Sequence, residues 1–429
     1  MKPDGPSLVS PAARRYTMVV LTVVYVFNFV DRQILAILLP SIRDEFLVND
    51  SVLGFLAGTA FAIFYATLGV PIALLADRWN RRNLIAIALT IWSGMTAMSG
   101  MAANIWQLSL ARIGVGIGEA GCSPPAHSMI SDLYPPEQRS TAMGFYTLGI
   151  STGIALAYLG GGWVAQNIGW RAAFYIVGVP GLLLAVVVRF TLTEPVRGAS
   201  ENRQDSGAHP SVADVFKFLL ARRSFIHMAV AAGLSAFVGY AVVSFFPSFL
   251  VRSFDMEIAA IGKWLGWILG IAGGIGFFGG GLLADHFGRS KRRNALWLIA
   301  AMMLVTAAFE VAVFLAPSAA WTLIIFIVPA ATSNIYLAPV LAQTQSLVGL
   351  RMRGVASALV LLIINLIGLG LGPLAVGFVS DLLAPQFADE SMRYSLLIIC
   401  AVFLPWAACH YYLAGKSIDA DLARAAERD

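Results

Sequence analysis

Apolar residues run along this chain in long blocks separated by short polar pieces. A helix needs about 20 such residues to cross a hydrocarbon core. Twelve blocks reach that length, at roughly 16–39, 53–76, 84–103, 105–131, 140–164, 171–192, 224–250, 259–284, 294–316, 320–348, 354–380 and 394–414. They are numbered here as spans 1 to 12. The first follows a largely polar stretch of 15 residues, is too long for a signal-peptide core and lacks a small-residue cleavage site, so it is kept as a span. One connection is long: residues 193–223 are polar and interrupted by Pro195 and Pro210. Its end, from Ser211 to Arg223, opens with Ser211-x-x-Asp214 and then carries Val215, Phe216, Phe218, Leu219 and Leu220. That pattern predicts a short helix lying on the membrane surface. The expected organisation is a six-helix bundle over 1–192, a linker over 193–223, a second bundle over 224–414 and a tail over 415–429. The fold class is an all-α membrane protein of twelve transmembrane helices in two pseudo-symmetric bundles.

Composition narrows the classes further. Charged residues are 12% of the 429 and hydrophobic ones 58%. An average soluble domain carries about 25% charge, so a soluble enzyme and a disordered chain are both excluded. The net charge of +5 has a topological origin. With the N-terminus in the cytoplasm, 21 Lys/Arg fall on the cytoplasmic side and only Arg43, Arg171, Arg252 and Arg393 on the other. This is a positive-inside distribution, and it accounts for the basic balance without nucleic acid. Cys122, Cys400 and Cys409 sit in apolar runs without metal-ligand spacing. His127, near the inner end of span 4, has no second ligand cluster and reads as an interhelical hydrogen-bonding group. No metal or cofactor is expected.

The halves echo each other. Ala73-Leu-Leu-Ala-Asp77-Arg78-Trp-Asn80-Arg81-Arg82 follows span 2, and Gly281-Leu-Leu-Ala-Asp285-His-Phe-Gly288-Arg289 follows span 8. The two aspartates are 208 residues apart. Arg139-Ser-Thr-Ala before span 5 is matched by Arg353-Gly-Val-Ala before span 11. A six-plus-six duplication is the parallel repeat of a transporter whose site lies between its halves.

These loops resemble the signature loop of the major facilitator superfamily, and Arg112-Ile-Gly-Val-Gly116-Ile-Gly118-Glu119 resembles that superfamily's second motif. Asn28-Phe-Val-Asp31-Arg32-Gln in span 1, taken with Gly114 to Pro124 in span 4, looks like the spinster-type lipid transporters. There are departures. Ala73 and Asn80 stand where the loop pattern prefers glycine, and Ile154 follows Gly149-x-x-x-Gly153 where the antiporter motif has proline. The resemblance implies gating roles for Asp77, Arg78, Arg81, Arg139, Asp285, Arg289 and Arg353: a carboxylate at one helix end meets the positive N-terminus of span 5 or span 11. Anchoring of topology is an equal alternative for these residues.

Four charges fall inside spans 1 and 4: Asp31, Arg32, Arg112 and Glu119. Each costs about 3 kcal/mol at the bilayer centre. Asp31 and Arg112 both lie roughly 10–14 Å below the outer surface at 1.5 Å per residue. Arg112 and Glu119 are nearly two turns apart on one helical face, whereas Asp31 and Arg32 point about 100° apart and serve different partners. Pairing of Asp31 with Arg112 and of Arg32 with Glu119 would make a static lock. A lock alone adds little stability over apolar residues, so a functional reading is preferred. A carboxylate beside an arginine stays ionised, and the same group desolvated and alone takes a proton. Asp31 and Glu119 are therefore the expected proton carriers, with Arg32 and Arg112 as charge partners or as holders of an anionic cargo head. One charge crossing 100 mV supplies about 2.3 kcal/mol, a roughly fifty-fold accumulation. No Gly-x-x-x-x-Gly-Lys-Ser/Thr loop for ATP is present.

Spans 1, 4, 7 and 10 line the cavity in the superfamily. Asn28, Tyr240, Phe245, Asn334, Tyr336 and Gln343 are the candidate lining residues. A charged wall facing an apolar, hydroxyl-rich one suits an amphiphile, and the resemblance implies a lysophospholipid or sphingosine phosphate. A small organic anion moved with protons or another cation is the alternative cargo, and a non-transporting sensor the alternative class. Glu310, near the outer end of span 9, reads as a solvated or headgroup-level residue. The expected partners are cargo, protons and membrane lipids. The expected state is a monomer in a bacterial inner membrane with both termini cytoplasmic.

Overall fold

The computed structural model describes residues 10–76, 78–197, 212–288, 291–349 and 352–426. Every predicted span falls on helix. Span 1 is Pro11–Phe46, span 3 Arg81–Ser99, span 5 Pro136–Asn167 and span 6 Trp170–Thr191. Spans 7, 9 and 12 are Arg223–Phe254, Arg292–Phe314 and Ser391–Ala426. Spans 2, 4, 8, 10 and 11 occupy 50–76, 105–133, 258–288, 319–346 and 353–387, each with an internal irregularity. Among the described residues, nine stretches are long and apolar enough to cross a membrane by length and composition, and Arg353–Arg424 holds spans 11 and 12 together. Spans 3 and 4 are outside that set. Span 3 opens on two arginines and carries Thr90, Ser93, Thr96 and Ser99, and span 4 breaks after Glu119.

Local chemistry sets several helix starts. Asn49, Asn80 and Asn104 each accept a hydrogen bond from a backbone N–H three residues on, at 3.0, 2.9 and 3.0 Å. These caps satisfy donors that a helix start leaves open. The breaks also have local causes. Span 4 turns at Ala120–Cys122, ahead of Pro124 and Pro125, which lack an N–H for the ladder. Span 10, its equivalent in the other half, turns at 333–336 between Pro329 and Pro339. Spans 2, 8 and 11 carry π-helical turns at Phe55–Thr59, Ile268–Ala272 and Ile364–Leu371. Such interruptions concentrate where helices line a site.

Helices pack within each half as 1 with 5, 3 with 6, 7 with 12 and 9 with 12, and the halves meet through 2 with 11, 5 with 8 and 1 with 7. The end where span 1 begins and span 12 finishes is called the terminal end, and the opposite one the distal end. The halves are in contact at the distal end. A Cβ on Gly262 of span 8 would lie 2.3 Å from the Tyr158 carbonyl oxygen of span 5, and one on Gly377 of span 11 would lie 2.1 Å from the Asp50 carbonyl oxygen. Toward the terminal end, Gly69 of span 2 and Gly354 of span 11 face open space. Close backbone contacts between the halves therefore gather at the distal end, and the side toward the terminal end, where these two glycines meet no neighbour, is called the cleft.

In the linker, Val212–Leu220 is a helix that buries Val215 and Leu219 and leaves Phe216 and Leu220 exposed. It packs against the starts of spans 7 and 11. Ser211, its expected cap, lies outside the described residues.

Candidate functional site

The four intramembrane charges meet. Span 1 turns Asp31 toward span 4, where its Oδ1 accepts from Arg112 Nη1 at 3.3 Å. The next residue, a third of a turn away, reaches a different partner. Arg32 donates to Glu119 Oε2 from Nε at 3.2 Å and from Nη2 at 2.7 Å. Asp31, Arg112 and Glu119 are each 1% exposed. Gly116 allows this approach, because a Cβ there would lie 2.5 Å from the Phe61 carbonyl oxygen of span 2.

The two pairs have different surroundings. Asp31 is enclosed: Thr96 of span 3 donates its hydroxyl to Oδ2, a partner that sequence reasoning missed. The signal available was a threonine within an apolar span. Glu119 is less well satisfied. Its Oε1, and both amide atoms of the neighbouring wall residue Asn28, are buried without hydrogen-bond partners among the described residues. Arg32 sits over Phe29, Phe61 and Tyr65, with ring centroids 5.2, 5.1 and 4.5 Å away. Such faces stabilise a desolvated cation. Arg32 also lines, with Gln33, Ala36, Tyr240, Ser244 and Leu369, a space between the halves. It is thus the member of the cluster that faces the opposite half.

The remaining wall candidates divide. Tyr240 lines that space. Asn334 is half-buried at the break in span 10. Tyr336 and Gln343 are buried, and Gln343 Oε1 has no partner among the described residues. Phe245 has no exposed surface and lies in an apolar core that residues of both halves build. Its neighbour Phe246 is the residue that stacks on Phe326 of span 10 and meets Phe314 of span 9 edge-on. His127 makes an edge contact with Tyr146 of span 5, with centroids 5.4 Å apart, and no hydrogen bond of its ring is present among the described residues. Glu310 is a correction: it is 2% exposed, and its Oε2 has no partner among the described residues. Nearness to a helix end did not place it in water, because span 12 covers that face of span 9.

Of the residues given gating roles, Asp77 and Arg289 lie outside the described residues, as does the side chain of Asp285. Arg78 and Arg353 are exposed. Arg139 donates to the Ser131 carbonyl at 2.9 Å. Arg81 is fully buried and ties the first half together, donating to Glu194 Oε1 at 2.7 Å, Ser128 Oγ at 2.8 Å, the Pro195 carbonyl at 2.8 Å and Asp132.

The distal end carries a polar lock that the sequence reading did not anticipate. Arg252, at the end of span 7, donates to both oxygens of Asp50 at the start of span 2, one of them at 2.7 Å. Ser380 donates to Asp50 Oδ2 at 2.7 Å, and Arg43 approaches Oδ1 at 3.7 Å. Asp381 of span 11 accepts from the backbone N–H groups of Asp50 and Ser51, both at 2.9 Å, and from the Ser51 hydroxyl. A carboxylate here caps the exposed N–H groups of a helix start in the opposite half. Each of these residues looked like an ordinary span-end charge, and no spacing rule links positions 331 residues apart.

Comparisons with known proteins agree with this architecture. An MFS-type efflux pump of Mycolicibacterium smegmatis is 32% identical over 408 residues, covering 94% of this chain and 93% of that protein. Protein spinster homolog 3 of Danio rerio is 28% identical over 424 residues, covering 92% and 84%. The crystal structure of a bacterial homologue of the human lysosomal transporter Spinster, inward-facing and unoccupied, matches with a TM-score of 0.88 at 31% identity, covering 96% of this chain and 99% of that one. The model of the Major Facilitator Superfamily matches residues 21–373, so the chain belongs to that superfamily and is a multi-pass membrane transporter of spinster type, not an enzyme.

Proposed function

We propose that this transporter couples proton movement to the passage of an amphiphile with an anionic head, lysophospholipid or sphingosine phosphate in type. The observation that carries the reading is the division of the cluster. Asp31 and Arg112 are sealed in the first half, while Arg32 shares Glu119 with the space beneath Tyr240 and Ser244. An anionic head entering the cleft competes with Glu119 for Arg32. Glu119, released from its cation in a desolvated place, takes a proton. Exit of the head restores the ion pair and releases the proton. Asp31 and Arg112 provide the second carboxylate–guanidinium pair, and the Asn28 amide, without a partner among the described residues, is left to meet the cargo head. The apolar and hydroxyl surfaces of spans 7 and 10 accept the tail, through Tyr240, Asn334, Tyr336 and Gln343.

The halves that rock about this cluster are 1–192 and 224–414, joined by the linker 193–223. The terminal end faces the cytoplasm of an inner-membrane monomer, in keeping with the Lys/Arg distribution. Arg78, Arg139 and Arg353, with Asp77, Asp285 and Arg289, close that end in the opposite state. The distal lock, Asp50–Arg252 and Asp381, closes the end seen shut here.

Flux of labelled lysophospholipid into proteoliposomes, with and without a pH gradient, tests the reading. Wild-type flux is expected to follow the gradient, while Asp31→Asn and Glu119→Gln proteins lose that dependence. Gradient-driven flux in both variants at wild-type rates would falsify proton coupling. The place of Arg32 beside the space between the halves equally suits a small organic anion. Binding that does not strengthen with acyl-chain length would select that cargo instead.

A further inference from the structure

Away from the cleft, the terminal-end portions of spans 9 and 12 form an aromatic and cationic cradle on the side of the second half. The rings of Trp297 and Tyr412 stack, with centroids 5.7 Å and planes 26° apart. Trp297 Nε1 donates to the Tyr412 carbonyl at 3.3 Å, which fixes the indole. Gly415 makes room for it, since a Cβ there would lie 2.5 Å from Nε1. One cation covers each ring. The Arg293 guanidinium is 5.1 Å from the Trp297 centroid, and the Lys416 ammonium is 4.7 Å from that of Tyr412. Neither cation has an ion pair among the described residues, and Arg293 Nε is buried without an acceptor. Lys291 and Arg292 extend the positive edge, and the exposed Asp419, one turn beyond Lys416, is the nearest acid along span 12. Above the cradle the surface is apolar, with Leu304 and Val305 of span 9 and Val402 and Trp406 of span 12 exposed.

We propose that this cradle binds the headgroup of an anionic phospholipid of the surrounding bilayer. Phosphate oxygens complete the donors of Arg293 and Lys416, and the acyl chains lie along the apolar faces of spans 9 and 12. The charge complementarity is direct: two cations without an ion pair among the described residues, held over a stacked ring pair, face the bilayer at headgroup level. Trp and Tyr anchor helices at that level without a specific lipid, but anchoring alone gives the Arg293 guanidinium and the exposed Lys416 ammonium no counter-charge, and a bound phosphate supplies one. Basic pockets between helices at a charged membrane surface recognise anionic headgroups on the same physical grounds. The site is separate from the cargo cleft and does not rest on the transport reading.

The test is native mass spectrometry of the purified chain, titrated in detergent with phosphatidylglycerol and, separately, phosphatidylcholine of the same chain length. Wild type is expected to retain phosphatidylglycerol preferentially. Lys416→Ala should weaken retention about fivefold, and Arg293→Ala with Lys416→Ala about thirtyfold, at about one tenfold step per 1.4 kcal/mol and about 1 kcal/mol per cation. Gly415→Val keeps every charge but displaces Trp297, and should weaken it as well. Arg32→Ala should leave retention as in wild type. Undiminished phosphatidylglycerol binding in the double variant, equal binding of the two lipids, or loss confined to Arg32→Ala would each overturn the site.

Discussion

The distal lock allows a quantitative prediction about alternating access. Arg252→Ala removes the principal cation from Asp50, a pair whose side chains are 7% and 4% exposed. Removing one member of a buried pair costs about 3–5 kcal/mol, because the other is left charged and unsolvated. Arg43, at 3.7 Å and 37% exposed, remains as a weak substitute, and Ser380 keeps its hydrogen bond. The lower figure of about 3 kcal/mol therefore applies. That cost falls on the state in which the halves touch distally. Once they part, water reaches Asp50 and the penalty disappears. The ratio of distally closed to distally open molecules should thus fall about a hundredfold, at about 1.4 kcal/mol per tenfold. Spin labels at Leu47→Cys and Leu315→Cys, exposed on opposite halves, report the distal distance by electron paramagnetic resonance. The exposed Cys409 is replaced beforehand. A longer distance is expected to gain population in Arg252→Ala, and adding Asp50→Asn should reverse part of the change, since it removes the stranded charge. An unchanged distance distribution in folded Arg252→Ala protein would refute the assignment of this network as a gate.

Other positions give independent checks. Gly262→Ala places a methyl 2.3 Å from the Tyr158 carbonyl oxygen, so spans 5 and 8 must separate; the same label pair should report distal opening without loss of any charge. Arg81→Ala strands Asp132 and Glu194 beside a missing cation, costing about 3–5 kcal/mol. The purified protein should melt at lower temperature, and Arg81→Lys should not restore it, because an ammonium cannot span four acceptors in a planar fork. Thr96→Val leaves a buried oxygen of Asp31 without its hydroxyl donor, at a cost of about 2 kcal/mol. Transport should fall at least tenfold at unchanged protein yield, with Thr96→Ser recovering most of it; equal failure of Ser and Val would show that Thr96 acts through packing.

The sequence alone determined the class of this molecule, its twelve helices and its duplication, because those depend on local quantities. Run length against bilayer thickness identifies spans, and a repeated Leu-Leu-Ala-Asp loop identifies the two halves without any knowledge of packing. The pairing of Asp31 with Arg112 was also legible, since about 1.5 Å per residue puts both at one depth; Arg32 and Glu119 were the charges left over, and only the packed helices show Arg32 reaching a carboxylate nearly two turns from Arg112. The tertiary structure decided what depends on contact between distant segments. It placed Thr96 on Asp31, joined Asp50 to Arg252 and Asp381 across the halves, and turned Phe245 into the core. It also covered Glu310 with span 12, although its position along span 9 pointed to water. Rise and rotation within one helix constrain a side chain's level and bearing, but which neighbour stands at that level is settled only when the helices pack together.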